Sequence, residues 1–306
     1  MSASKERVFV TGATGNIGGD IVRSLIEKGI DTTAFVRDEN KAKDLFKDEL
    51  STGRLKFVVG DYSSVDVFTK AIQDHTRLFL LYAAVHSKPA DMSEVKGTFA
   101  KIAFEQGVRQ IVDLSSAFVS SYGRKGIIGY MHTAAEEKLW KLADENPAQR
   151  SLVVLRPGAF MSNHFMGDVH QIKRANKLVS CGAPSSVTTW IDTRDISDCA
   201  VAVLSEPVDK HDRNIYELGT EALNNEQRAA IFTKVLGRPI TYEQQSYEDF
   251  YKLMTGMGLP HSIVYNFAMA ASKNICDATT PEIALITGRP LRTLEQWIKD
   301  NLKAFQ

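Results

Sequence analysis

Cysteine is scarce: 306 residues carry only Cys181, Cys199 and Cys276. They are far apart and odd in number, so the chain offers neither a disulfide framework nor the paired spacing of a zinc site. Reduced thiols and no bound metal are expected. Long apolar runs are missing too. No stretch stays apolar and uncharged for the roughly 20 residues that a bilayer-spanning helix needs. The start, "MSASKERVFV", has no apolar core or small-residue cleavage site of a secretory leader. A cytoplasmic setting without a membrane partner is expected. Surplus charge is also absent, with Lys plus Arg at 37 and Asp plus Glu at 37. A nucleic-acid binder needs a cationic excess, so nucleic acid is not an expected partner. Repeats and low-complexity segments do not occur.

What the chain does have is alternation. "RVFVTGA" reads as a buried strand ending in glycine. The following segment spaces Ile17, Ile21, Val22, Leu25 and Ile26 on one helical face and stops at Gly29. "DTTAFVR", "LKFVVGD", "RLFLLYA", "RQIVDLSSAF" and "SLVVLRPG" continue the strands, with helical segments between them. The strands are nearly continuous apolar runs. That pattern predicts a parallel sheet covered on both faces, hence an α/β, Rossmann-type doubly wound domain. After residue 157 the rhythm loosens, with too few strands for a second sheet. The expected division is a Rossmann domain over 1–157, with 184–220 returning to it, and a smaller, mainly helical lobe over 158–183 and 221–306. Thr293 and Gln296 read as a capping box for the last helix.

The sharpest motif is "TGATGNIGG". Gly12, Gly15 and Gly18 fall between the first strand and the first helix. Glycines there allow a tight turn and a close approach of backbone N–H groups to a pyrophosphate, while the helix N-terminus adds favourable partial charge. Thr14, Asn16 and Ile17 belong to the same loop. The second strand ends "FVRDENKAK". A carboxylate at that position suits the ribose of NAD, and a cation suits the 2′-phosphate of NADP. Arg37, with Lys41 one turn on, points to NADP(H) because a guanidinium donates in parallel to phosphate oxygens. Asp38 keeps NAD open. Ligands of open α/β sheets bind beyond the carboxyl ends of the strands. Asp61 and Tyr62 are therefore expected near the adenine, and Ala83 and Ala84 near the central phosphates or ribose. Ser115 and Ser116 fall near the nicotinamide or in ordinary loop hydrogen bonds.

These pieces, together with "LRPGAFMSN", "IDTRDISDCAVAVL" and "ITGRPLRTLEQWIKDN", resemble the NmrA-like branch of the short-chain dehydrogenase/reductase superfamily. The resemblance runs from the first strand to the last helix. It implies either an NADPH-dependent quinone-type reductase or a non-catalytic NADP-binding regulator with a protein partner. Catalytic members of the superfamily carry Y-x-x-x-K, often followed four residues later by Glu. Aligned on Glu136, this chain has His132 at the lysine position and Ile128 at the tyrosine position. His132 is then a cofactor ribose contact or a helix-surface residue, and Ile128 cannot donate a proton. Tyr122 is the alternative acid, and Tyr130 is out of register. Glu136 and Glu137 diverge by about 100° on a helix and cannot share one atom. Glu136 is expected in a structural hydrogen bond and Glu137 in solvent.

By position after the sixth strand, Pro157, Gly158 and Phe160 should wall the nicotinamide pocket. Ser116, Phe160, Asn163, His164 and Trp190 should face substrate. The missing tyrosine favours quinones, whose reduction gives a stabilised anion that water can protonate. Imines or conjugated carbonyls come next. A small-molecule substrate and a monomer or homodimer complete the expectation.

Overall fold

The computed structural model describes residues 6–82, 89–119, 126–273 and 279–306. Twelve strands occur among them: β1 (Arg7–Val10), β2 (Asp31–Val36), β3 (Leu55–Val59), β4 (Arg77–Leu80), β5 (Gln110–Leu114), β6 (Ser151–Pro157), β7 (Ala159–Phe160), β8 (Lys177–Ser180), β9 (Val187–Ile191), β10 (Ile215–Leu218), β11 (Glu221–Asn224) and β12 (Thr241–Gln244). Seven of them form one sheet in the order β10-β6-β5-β4-β1-β2-β3. The pairs β1–β2, β1–β4, β2–β3, β4–β5 and β5–β6 are parallel. Between β6 and β10, Val154 N donates to Asn214 O and Gly158 N to Leu218 O, so these strands also advance together. This is the doubly wound sheet that the apolar runs predicted. The strand order reverses beside β1, which places the crevice of such a fold at the carboxyl ends of β1 and β4.

The chain forms two compact units. The first comprises residues 1–115, 131–155 and 196–216, and the second comprises 116–130, 156–195 and 217–306. The segment returning to the first unit is thus shorter than the expected 184–220. The reason is pairing: β9 joins β7 and β11 in a three-stranded sheet of the second unit instead of extending the large sheet. A further two-stranded sheet, β8 with β12, lies in the same unit. The second unit is thus rich in helices, as expected, but its short strands do form two small sheets, where too few strands for a second sheet were expected.

Each unit has its own apolar core. In the first, Phe9, Phe35, Phe68 and Phe99 cluster among aliphatic residues of the sheet and its helices. Phe68 stacks on Phe99 at 4.1 Å and meets Phe9 edge-on at 5.3 Å. The helix Asn16–Glu27 turns Ile17, Ile21, Val22, Leu25 and Ile26 inward, the face its spacing predicted. In the second unit, Met161, Ile172, Trp190, Phe232, Trp297 and Phe305 share a core. Only half of the predicted capping box forms there. Thr293 accepts from Gln296 N, while the Gln296 side chain bonds Asp300. No described helix is long and apolar enough to cross a membrane.

Burial separates two adjacent residues. Phe68 is fully buried, whereas Val67 is 40% exposed. Phe68→Ala should cost about 3–5 kcal/mol of unfolding free energy, and Val67→Ala less than about 0.5 kcal/mol. Urea denaturation of the two variants checks this; similar losses would place Phe68 outside a close-packed core.

Candidate functional site

The loop from β1 into the helix Asn16–Glu27 is set by sterics. Gly12 adopts φ +64°, a left-handed conformation that favours glycine. A Cβ at Gly18 would lie 2.3 Å from Gly12 O, so the helix can start this close to the strand only with glycine there. A Cβ at Gly15 would touch only Gly12 O, at 3.3 Å, and otherwise enter open space. Thr11 ties the loop down. Its Oγ1 shares one proton between the carbonyls of Phe79 and Leu81, both 3.1 Å away, and Leu81 N donates back to it at 2.8 Å. Gly15 supplies no side-chain cap, and the first helical turn holds no acidic residue. The amides of Asn16, Ile17 and Gly18 form no hydrogen bond among the described residues. Unsatisfied amides at the positive end of a helix dipole suit a phosphate. Thr14 is half-buried and Asn16 exposed beside them.

At the end of β2, Arg37 and Lys41 are exposed, and neither side chain has a hydrogen bond or ion pair among the described residues. Asp38 is occupied: its Oδ1 accepts from Lys41 N at 3.0 Å and caps the helix Glu39–Leu45. The local charge left for a ligand is therefore cationic. At the end of β3, Asp61 is turned into its own loop, accepting from Ser63 N, Ser63 Oγ and Ser64 Oγ. Those bonds, the Ser63 hydroxyl first, hold its carboxyl below the usual range. Tyr62 donates to Leu81 O and packs against Tyr82 and Phe99. Burial pushes its phenol up to about 12, opposed by the nearby Arg37. Both residues expected near the adenine thus commit their polar atoms internally. Ala83, Ala84 and Tyr122 lie outside the described residues.

At the end of β5 a polar chain forms within the first unit. Ser115 Oγ donates to Glu136, and His132 Nδ1 lies 3.5 Å from the same oxygen. Ser115 and Glu136 are buried and Glu137 is exposed. His132 as a residue is half-buried. The packing around it, and then the Lys96 ammonium, lower its pKa to about 3, which leaves a neutral imidazole near pH 7. Beneath this chain lie two fully buried charges that the sequence reading passed over. Lys96 Nζ donates to Leu114 O at 2.8 Å and stands 2.8 Å from Asp113 Oδ1. The signal was present: a lysine on the apolar face of "SEVKGTF" and an aspartate inside the strand "QIVDL".

In the second unit, Ile128 N donates to the buried Asn266 Oδ1, and Tyr130 is 57% exposed. Ser116 Oγ accepts from Phe118 N, an ordinary loop bond. Pro157 ends β6. Gly158 N donates to Leu218 O, and a Cβ there would lie 2.7 Å from Thr189 O. Close packing within the unit therefore accounts for that glycine. Phe160 is half-buried, pairing through its backbone with Ile191.

His164 and Trp190, expected to face substrate, are core residues instead. Residues Met161–Met166 form a 3₁₀ turn, in which side chains three apart align. Met161 and His164 consequently point inward together, while Asn163, Phe165 and Met166 are exposed. His164 Nδ1 bonds Met161 O at 2.9 Å, and its ring lies 4.5 Å from that of Trp190. Arg228 stacks over Trp190 at 4.5 Å and pairs with Asp168 at 2.8 Å. Burial, and then Arg228, drive His164 well below its ordinary pKa, so this cluster is a structural centre. Among the described residues no group of three or more His, Cys, Asp and Glu side chains could hold a metal ion.

Known proteins are similar to this chain over nearly its whole length. An NAD(P)H azoreductase from Xenophilus azovorans is 27% identical over 97% of this chain and 99% of its own length. Quinone oxidoreductase 2 of Escherichia coli is 26% identical over 94% of this chain and 96% of its own. The NADPH complex of an NADPH-dependent quinone oxidoreductase from Escherichia coli superposes with a TM-score of 0.81 at 22% identity, covering 96% of this chain and 99% of that one. That likeness carries the fold. The family model described as "NmrA-like family" matches residues 4–298, and this chain belongs to that family.

Proposed function

We propose that this protein is an NADPH-dependent reductase of a small electron-poor acceptor, quinones first. The observation that carries the reading is the pairing of amides at Asn16–Gly18 with the cations Arg37 and Lys41, none of which has a partner among the described residues, while Asp38 is used as a helix cap. The similarity to an azoreductase and a quinone oxidoreductase supports the same class.

The residues fit the dinucleotide. The Gly12–Gly18 loop would receive its pyrophosphate, Arg37 and Lys41 its 2′-phosphate, and His132 a ribose hydroxyl. When bound, NADPH supplies a hydride. The chain's part is to bind, orient and exclude water. Ile128, at the position where the superfamily's tyrosine stands, has no proton to give. His132, neutral at pH 7, is a weak acid as well. The chain is therefore suited to acceptors whose reduced form is a stabilised anion, protonated later by solvent. A ketone, whose alkoxide needs an acid near neutral pH, is not such an acceptor.

Two outcomes follow. NADPH should bind more tightly than NADH, and Arg37→Ala should remove most of the difference, about 1.5–3 kcal/mol for a charge-assisted phosphate contact. Calorimetric titration of both cofactors into both proteins checks it, and equal affinities in the unmutated protein would refute the assignment of Arg37.

With NADPH, quinones should turn over and simple ketones should not. Tyr130→Phe should leave quinone turnover nearly intact, and His132→Ala should reduce it by about three- to tenfold, the worth of one hydrogen bond. Steady-state NADPH oxidation measures all of these. Complete loss in Tyr130→Phe would mean that a tyrosine acid exists. Tight NADPH binding without turnover of any acceptor would favour the redox-sensor reading.

A further inference from the structure

A buried ion pair calls for a reason. Taking two charges out of water costs several kcal/mol per ion, and an apolar pair of similar volume often serves stability as well or better. Lys96 and Asp113 are both fully buried. Lys96 Nζ stands 2.8 Å from Asp113 Oδ1, and among the described residues no other group approaches the carboxylate to satisfy its oxygens. Burial accordingly pushes the Asp113 carboxyl up in spite of the lysine. The pair is a costly arrangement, and its location shows what it can do.

Lys96 grips two consecutive residues of β5, the Asp113 carboxylate and the Leu114 carbonyl. The third residue in line is Ser115. Side chains alternate along a strand, so Asp113 and Ser115 emerge on one face. The helices Pro89–Glu105 and Ile127–Asp144 meet there: Ser93 Oγ donates to Ala134 O, and Gly97 leaves room for the Lys138 stem, which a Cβ would meet at 2.4 Å. Ser115 has one hydroxyl proton, and Glu136 receives it. The same oxygen, 3.5 Å from His132 Nδ1, is then an acceptor, and a hydrogen bond there requires the proton on Nδ1 and leaves Nε2 with a lone pair.

We propose that Lys96 and Asp113 are positioning residues that, through Ser115, hold His132 in the Nδ1–H tautomer, so that the residue at the superfamily's lysine position is a hydrogen-bond acceptor and not a cation. This rests on the reading of His132 as a cofactor contact. Where a lysine would donate to a ribose hydroxyl, His132 Nε2 accepts from one. Among the described residues, the ionisable groups around the ring are Lys96, which acts on it electrostatically, and Glu136, which shares Ser115 Oγ with it; Lys138 and Glu94 pair with each other on the outside. The Lys96 charge opposes formation of an imidazolium beside it.

The test is nitrogen NMR of the full-length protein with labelled histidine, His132 being assigned by its loss in His132→Ala. The unmutated protein should show a bare Nε2 and a protonated Nδ1 from pH 5.5 to 8, without titration. Lys96→Met/Asp113→Leu replaces both charges together and avoids the lone buried carboxylate that Lys96→Met would leave. It should fold with an unchanged far-ultraviolet circular dichroism spectrum, show mixed His132 tautomers, and bind NADPH about three- to tenfold more weakly, the worth of one hydrogen bond. Ser115→Ala, which cuts the relay and keeps the charges, should mix the tautomers in the same way. A protonated Nε2 in the unmutated protein, or a His132 spectrum that neither variant alters, would overturn the proposal. So would a double variant that fails to fold, because the pair would then hold the fold and not the site. The tautomer is read without ligand, so absence of NADPH binding would count against the proposed function while the tautomer result stood apart from it.

Discussion

The tight turn from β1 into the helix Asn16–Glu27 is the constraint on which the candidate site rests. Gly18 sits so close to Gly12 O that a Cβ would fall at 2.3 Å, and that closeness sends the helix off the end of the strand with its first amides facing out. Thr11 holds the strand end against β4 by three hydrogen bonds. The helix dipole and the unsatisfied amides then act at one place. Everything proposed about the dinucleotide depends on this turn, including the side on which Arg37 and Lys41 become useful.

Electrostatics at the two ends of the crevice follow opposite logics. At the end of β2 the cations are exposed and, among the described residues, unpaired, which suits the proposed 2′-phosphate contact; water screens them until an anion arrives. At the end of β5 the charges are sealed, and the half-buried member of the network is a neutral imidazole. An exposed cation selects the ligand. A buried charge pair cannot reach a ligand and can act only by fixing its neighbours. This contrast explains why Arg37 and His132 call for different measurements, one of affinity and one of tautomer.

In the second unit, burial reassigned residues that chain position had recommended. His164 follows Asn163, and both stand just past the sixth strand. The 3₁₀ turn Met161–Met166 separates them, turning His164 toward Arg228 and Trp190 and leaving Asn163 outside. A histidine and a tryptophan near a suspected pocket suggest chemistry, but here they solvate a buried guanidinium whose carboxylate partner is Asp168.

The sequence by itself determined whatever depends on local pattern. The continuous apolar runs of β1 to β6 could only be strands of a covered parallel sheet. The glycine spacing marked the loop, and the Arg37 position marked the cationic end. Register against Glu136 placed Ile128 and His132 where the superfamily's dyad stands. Only the tertiary structure decided what depends on partners far along the chain. β9 pairs with β7 and β11, which moved the unit boundary to Asp195. Tyr62 donates its hydroxyl to Leu81 O, 19 residues away. Lys96 finds Asp113 across 17 residues, a meeting that no local propensity encodes. The physical reason is the same in each case. Backbone preference and periodicity are properties of a segment, whereas burial and hydrogen-bond partnership belong to the folded surroundings.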